Sequence, residues 1–326
     1  MRKMKSYSTG WEMHGQIVAY PREWLMPVKT ELWVYESLLE LSCEDPYTQF
    51  FCFPWATLTD FLRQGKLGRA RKLLSAIALA PPKDKLKRVT FCQHIYAMDL
   101  LPYFKRLGIT DVYWSHKTKN ISMMDGIRIH PLPLFPVMDI KRKKGSIKPL
   151  KERKYLYSFI GSYQSRLYLT SVRKWIFGLN AKSDEFILQR GEWHFENDVY
   201  RKQVSGLALD EMERVEKKRW EEEYVSVLED SIFCLCPSGS GPNSIRLWEA
   251  PLFGSIPVLL SDSLCLKGIT SMERLAVRIE ESRSAILNLP EYLRGLTQET
   301  GYVQEKQRAL NSASLESLLC EALGAH

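Results

Sequence analysis

Residues 231–262 read SIFCLCPSGSGPNSIRLWEAPLFGSIPVLLSD, and this stretch decides the fold. The apolar run from Ser231 to Cys236 predicts a buried strand. A Gly/Ser loop follows from Pro237 to Asn243, then a helical pattern from Ser244 to Phe253, which Gly254 ends. Ile256 to Leu260 reads as the next strand, with Pro257 near its start, where a missing N–H is tolerated. Strand, loop, helix and strand in that order predict a parallel sheet. In an open parallel sheet, ligands bind outside the carboxyl ends of the strands, and loop 237–243 falls at such an end.

The same alternation extends both ways. Apolar runs predict strands at 16–20, 49–53, 88–93, 111–114, 126–130, 155–160, 185–188 and 275–279. Helical spacing predicts helices at 31–41, 58–63, 67–78, 97–107, 165–177, 209–228, from 282 onward, and at 304–323. The expected fold class is α/β. The first domain is expected over 1–139 and a basic linker over 140–154. The second domain follows over 155–300, with a C-terminal helix over 301–326 packing back on the first.

The net charge of +8 favours an anionic partner. Lys141, Arg142, Lys143, Lys144, Lys148, Lys151, Arg153 and Lys154 face only Glu152. This run reads as a solvated linker, or as a peripheral contact with an anionic membrane surface through 141–154. No segment offers the roughly eighteen apolar residues of a membrane helix, and Met1–Tyr20 does not read as a signal peptide. The cysteines, an odd seven, are scattered through apolar runs and read as reduced and buried. The expected location is cytoplasmic, with peripheral attachment at the inner membrane face.

Loop 237–243 and its helix suggest phosphate binding. Gly239 and Gly241 let backbone N–H groups approach an anion, with Ser238, Ser240, Asn243 and Ser244 adding polar groups. A helix starting near Ser244 turns its positive end to the same place. Arg246 offers a charged fork, and Glu249, three residues on, shares its helix face and can accept both hydroxyls of a ribose. Pattern alone leaves open an ordinary turn with a surface ion pair.

The run also resembles the C-terminal motif of exostosin-type glycosyltransferases. The matching residues are Phe233, Leu235, Pro237, Gly239, Ser244, Arg246, Glu249, Ala250, Gly254, Ile256, Pro257 and Val258. Upstream, YLYSFIGSYQSRLYLTSVR (Tyr155–Arg173) is similar to the family's Phe-x-Gly strand and the Arg-bearing helix after it. The resemblance implies a GT-B fold, two Rossmann-like doubly wound domains facing across a cleft. It implies a sugar nucleotide donor, a glycan or glycolipid acceptor, and inversion at the anomeric carbon. The family's animal members are Golgi membrane proteins. With no anchor visible, the resemblance suggests a bacterial cytosolic relative in capsule or lipopolysaccharide synthesis. Carried across, Glu249 holds the ribose and Arg246 the phosphates, with Ser244 and the loop amides. Arg166 is a second phosphate candidate, and Gln189 and Arg190 are nucleobase candidates. No cofactor and no metal are expected. No Asp-x-Asp pair occurs, and His14, His130 and His194 lack metal-ligand spacing.

Inverting transfer needs a base for the acceptor hydroxyl. His94 and His116, each just past an apolar strand, are the catalytic candidates, with Asp60 and Asp111 behind them. Trp55, Tyr113 and Trp114 offer aromatic surface to a sugar. Three other readings stay open: a fucosyltransferase-like GT-B enzyme, a basic nucleic-acid-binding protein, and a non-catalytic partner subunit. Specific nucleic acid binding is not expected, because the basic residues sit in a linker rather than on one periodic face.

Overall fold

The computed structural model describes residues 4–6, 10–24, 29–41, 45–141, 147–191, 207, 209–312 and 314–324. The chain divides into two compact units, residues 1–135 with 319–326, and residues 136–318.

The first unit contains β1 (Met4–Ser6), β2 (Glu12–His14), β3 (Ile17–Ala19), α1 (Thr30–Glu40), β4 (Thr48–Cys52), α2 (Trp55–Arg63), α3 (Leu67–Ala78), β5 (Lys87–Cys92), α4 (Leu101–Arg106), β6 (Asp111–Trp114), β7 (Met123–Met124) and β8 (Ile127–Pro131). Its sheet runs β1-β2-β3-β4-β5-β6-β8-β7. From β3 to β8 the pairings through β4, β5 and β6 are parallel, and antiparallel hairpins close both edges. Every residue of β4 is buried, as expected of a strand covered on both faces.

The second unit contains β9 (Tyr155–Gly161), α5 (Val172–Phe177), β10 (Glu185–Gln189), α6 (Glu211–Glu229), β11 (Ser231–Pro237), α7 (Arg246–Glu249), β12 (Ile256–Leu260), α8 (Thr270–Leu275), β13 (Val277–Arg278), α9 (Arg283–Gln298) and α10 (Tyr302–Ser312). The last helix, α11 (Leu315–Leu323), spans the division between units. The second sheet is parallel throughout, in the order β10-β9-β11-β12-β13. Tyr157, Phe159, Phe233, Leu235, Ile256 and Val258 of its central strands pack with Val172, Ile176, Ile286, Leu289 and Leu293 from α5 and α9. The chain first steps from β9 out to β10, then crosses back to β11 on the other side of β9. The order therefore reverses between β9 and β11, and the crevice beyond their carboxyl ends is a topological switch point.

Several elements differ from expectation. The helix expected from 165 begins only at Val172. Residues 162–171 bond to the neighbouring loop instead: Leu169 N–H donates to Gly239 O (2.9 Å), and the Thr170 and Ser238 hydroxyls meet at 3.1 Å, while the Ser162 and Tyr168 hydroxyls meet each other at 2.7 Å. The helix expected over 244–253 is a four-residue α-turn followed by a 3-10 turn, Ala250–Phe253. Pro251 has no N–H to continue the α ladder. The strand expected at 16–20 is one arm of the β2–β3 hairpin, and the closing helix is two. The helix expected at 97–107 starts as a 3-10 turn, with Pro102 opening α4.

The basic run 141–154 is not a uniformly solvated linker. Residues 142–146 lie outside the described residues. Arg153 is buried, and its guanidinium donates to the carbonyls of Leu228 (3.1 Å), Ser231 (2.9 Å) and Phe253 (3.0 Å). Gly254 sits against it at φ +77°, where any Cβ would lie 2.2 Å from that guanidinium. Lys148 is ion-paired with Asp230. Residue counting registers these charges but not the carbonyls that absorb one of them.

Candidate functional site

Arg246 lies at the switch point. Its Nη2 donates to Ile160 O at the end of β9, and its guanidinium stacks 5.1 Å from the Phe159 ring. Gly161 makes this possible, because a Cβ there would meet Arg246 Nη2 at 3.1 Å and the Phe159 ring at 2.9 Å. The Arg246 Nε and the Ser244 Oγ are buried, with no hydrogen-bond partner among the described residues. Buried donors without partners are uncommon and mark a place where a ligand or water belongs.

Glu249 is 1% exposed. Tyr224, from α6, donates its hydroxyl to Oε2 at 2.8 Å, and the Met138 N–H donates to Oε1 at 3.3 Å. Burial raises the Glu249 pKa above the usual carboxylate value, opposed by the Tyr224 hydrogen bond, the Arg246 charge and the Met138 N–H. Each carboxylate oxygen keeps one lone pair beyond these bonds, the number a vicinal diol needs.

Arg173, on α5, joins the cluster without having been singled out in the sequence. It is buried, donates to Ser238 O (2.9 Å) and Ser162 O (3.2 Å), and stacks on Tyr168 at 4.5 Å. Burial, then the nearby Arg246 charge, lowers its pKa. A Cβ on Gly239 would meet its Nη2 at 3.0 Å. The sequence signal was there, since Arg173 closes the YLYSFIGSYQSRLYLTSVR motif. Tyr224 carried none, being one aromatic in a highly charged helix.

The other predicted donor residues are dispersed in role. Arg166 lies in an exposed turn, not a helix. Gln189 pairs beside Gly161 and is exposed. Arg190 donates its backbone N–H to Gly161 O (2.7 Å), while its guanidinium bonds Glu223 (2.6 Å) and stacks on Trp220 at 4.7 Å. The Ser238 hydroxyl is held by Glu281 and Thr170. The Gly239 N–H closes the loop onto Gly241 O (2.9 Å), so it does not point at a ligand. Asn243 Oδ1 accepts from Trp248 Nε1 (2.8 Å), and Ser240 is exposed. With α7 only one turn long, arginine side chains rather than a helix dipole supply the positive field.

In the first unit, His94 Nε2 meets Asp60 Oδ1 at 3.2 Å, and the Tyr96 N–H donates to Nδ1 at 3.1 Å. Nδ1 is therefore the acceptor, and Nε2 carries the proton shared with Asp60. His116 is buried and bonded to the Gln93 backbone; burial, with His94 nearby, lowers its pKa to about 3. Asp111 opens β6 and is ion-paired with Arg128 and His130, both bonds to Oδ1 being under 3.0 Å. Against the effect of burial, hydrogen bonds from His130, Arg128 and Thr110 hold it well below the usual range. It is a structural anchor at the strand's amino end, not a base. Trp55 and Trp114 are buried and serve the core. His194 lies outside the described residues.

A buried carboxylate, Glu31, was missed. It accepts from the Ala56 N–H (3.1 Å) at the start of α2 and from the Gln93 N–H (3.0 Å) after β5. Burial raises its pKa to about 8 against these two bonds. Its sequence context is an ordinary first-turn acid of α1.

Fold and site define a class: α/β proteins with cations and a buried carboxylate gathered at the switch point of a parallel sheet. Residues 105–294 match the exostosin GT47 domain, and the chain belongs to that family. Its mixed α/β architecture on two mostly parallel sheets is that of a GT-B type glycosyltransferase fold. It is similar to probable glucuronosyltransferase 47 A of Physcomitrium patens, 35% identical over 98 residues, covering 29% of this chain and 21% of that protein. It is also 35% identical over 96 residues to probable beta-1,4-xylosyltransferase IRX10 of Arabidopsis thaliana, covering 28% of this chain and 22% of the relative. The matches thus span about a fifth of the length of these relatives.

Proposed function

We propose that this protein is a glycosyltransferase that moves a sugar from a sugar nucleotide to a glycan or glycolipid acceptor, with inversion and without metal. The observation that carries the reading is the convergence of Arg246 and Arg173 with the buried Glu249 at the β9–β11 switch point. The arginines neutralise the diphosphate as it leaves, the task a divalent ion performs elsewhere. Glu249, oriented by Tyr224 and Met138, accepts the ribose hydroxyls. In the transfer, an acceptor oxygen bonds to the anomeric carbon as the bond to the diphosphate oxygen breaks. The acceptor proton passes to a base. Of the two histidines, His94 is the candidate, its Nδ1 exchanging the Tyr96 N–H for the acceptor hydroxyl. Asp60 beside it stabilises the imidazolium that forms, whereas burial makes His116 too weak a base.

The relatives' names make glucuronic acid and xylose the first sugars to offer as nucleotide donors. In this reading the acceptor belongs to a surface polysaccharide, capsule or lipopolysaccharide, and the protein works in the cytoplasm. The test is transfer from labelled sugar nucleotides to oligosaccharide acceptors in EDTA. Product of inverted configuration from one donor is expected. Absence of any turnover, or activity that returns only with a divalent ion, would overturn the reading or its metal-free part respectively.

A further inference from the structure

A cationic, solvent-facing segment of the first unit is not part of the candidate site. From Arg63 to Arg88 there are nine Lys and Arg residues and one carboxylate, Asp84. Three of the nine are internally engaged: Arg88 is buried, Arg69 stacks on Phe61, and Arg63 pairs with Asp99. Of the rest, Arg71, Lys72, Lys83 and Lys87 are exposed, and Lys66 and Lys85 are half-buried. Helix α3 buries Ala70, Leu73, Ala76 and Ile77, and exposes Leu67, Arg71, Ser75, Ala78 and Leu79 as one stripe at helical spacing. Lys72, beside the stripe, is 73% exposed and reaches Glu23 only at 3.8 Å. After the helix, Lys83 and Leu86 are exposed and Lys85 is half-buried, while Asp84 accepts a hydrogen bond from Gln49. Arg71, Lys83 and Lys85 make no ion pair among the described residues.

Leu67, Leu79 and Leu86 are 59%, 58% and 73% exposed, a poor use of leucine on a face meant only for water. Leucines interleaved with unpaired cations fit one kind of partner, a bilayer surface with anionic headgroups over an apolar boundary. A nucleic acid would satisfy the cations but not the leucines, and the stripe has no aromatic ring for bases to stack on.

We propose that the outer face of α3 and the segment following it dock the protein on an anionic lipid surface. The experiment is co-sedimentation of the full chain with vesicles of phosphatidylcholine, alone or mixed equally with phosphatidylglycerol. Binding to the anionic vesicles, weakened by salt, is expected. The triple variant Arg71→Glu/Lys83→Glu/Lys85→Glu should lower partitioning by on the order of a hundredfold or more, since each cation contributes about a fivefold step. Leu67→Ser/Leu79→Ser should abolish the salt-resistant remainder. Both variants change exposed or half-buried residues, and unaltered circular dichroism confirms their folding. Equal binding to neutral vesicles, stronger binding to single-stranded RNA than to vesicles, or loss on Lys151→Glu but not on the triple variant would each overturn the proposal.

Discussion

At the scale of single residues, Tyr224 and Gly161 shape the surroundings of Glu249 and Arg246. Burial drives Glu249 toward its protonated form, and the Tyr224 hydroxyl is the first of the contacts that oppose it. A protonated Glu249 accepts ribose hydroxyls less well, so nucleotide affinity should fall as pH drops through its pKa. Tyr224→Phe removes one opposing bond and raises that pKa, so the midpoint of the loss should move to higher pH. Calorimetric titrations across pH would show it, and an unmoved midpoint would remove Tyr224 from the site. Gly161→Ala places a methyl group against the Arg246 guanidinium and the Phe159 ring. Overpacking of this kind costs about 1–3 kcal/mol. The expected outcome is a lower melting temperature together with at least a tenfold loss of nucleotide affinity. Stability lost without affinity would mean that Arg246 does not touch the ligand.

At the scale of elements, Glu31 joins three of them, lying on α1 and accepting from the first turn of α2 and the exit of β5. Its pKa is about 8 in the folded chain against an ordinary 4.5. Between those values the unfolded chain has released the proton that the folded chain retains. The unfolded state therefore binds fewer protons, and stability falls as pH rises through that window. Glu31→Gln should flatten this slope, so the variant gains on wild type steadily from pH 5 to pH 8 in thermal melts. A constant difference across that range would show Glu31 ionised in the fold. His116 works in the opposite direction, its folded pKa of about 3 lying below the ordinary 6.5. It withholds a proton that the unfolded chain takes up, so stability is lost as pH falls from 6.5 toward 3. Sequence reading could not find Glu31, because its bonding partners are backbone groups 25 and 62 residues away.

At the scale of the whole molecule, the parallel sheets were legible because buried strands betray themselves as short apolar runs between loops. Tyr155–Gly161, Ser231–Pro237 and Ile256–Leu260 all lie where their composition puts them. What the alternation could not show is strand order, and the switch point exists only through order. Arg246 and Glu249 were readable from one local motif, and the structure seats both at that switch point. Arg173 reaches the cluster from a different helix, and the bonds that pin residues 162–171 over Gly239 are long-range. The basic run misled for the same reason, since Arg153 is bound by carbonyls that lie 75, 78 and 100 residues downstream.

The central claim is that the β9–β11 switch point binds a nucleoside diphosphate sugar through Arg246 and Glu249. The most direct measurement is calorimetric titration of nucleoside diphosphates into wild type and Glu249→Ala, both in EDTA. Binding of one nucleotide by wild type, with a loss of affinity of on the order of a hundredfold in a variant that melts cooperatively, is predicted from loss of two charge-assisted hydrogen bonds. Equal affinity in the two proteins, or no nucleotide bound by wild type, would contradict it.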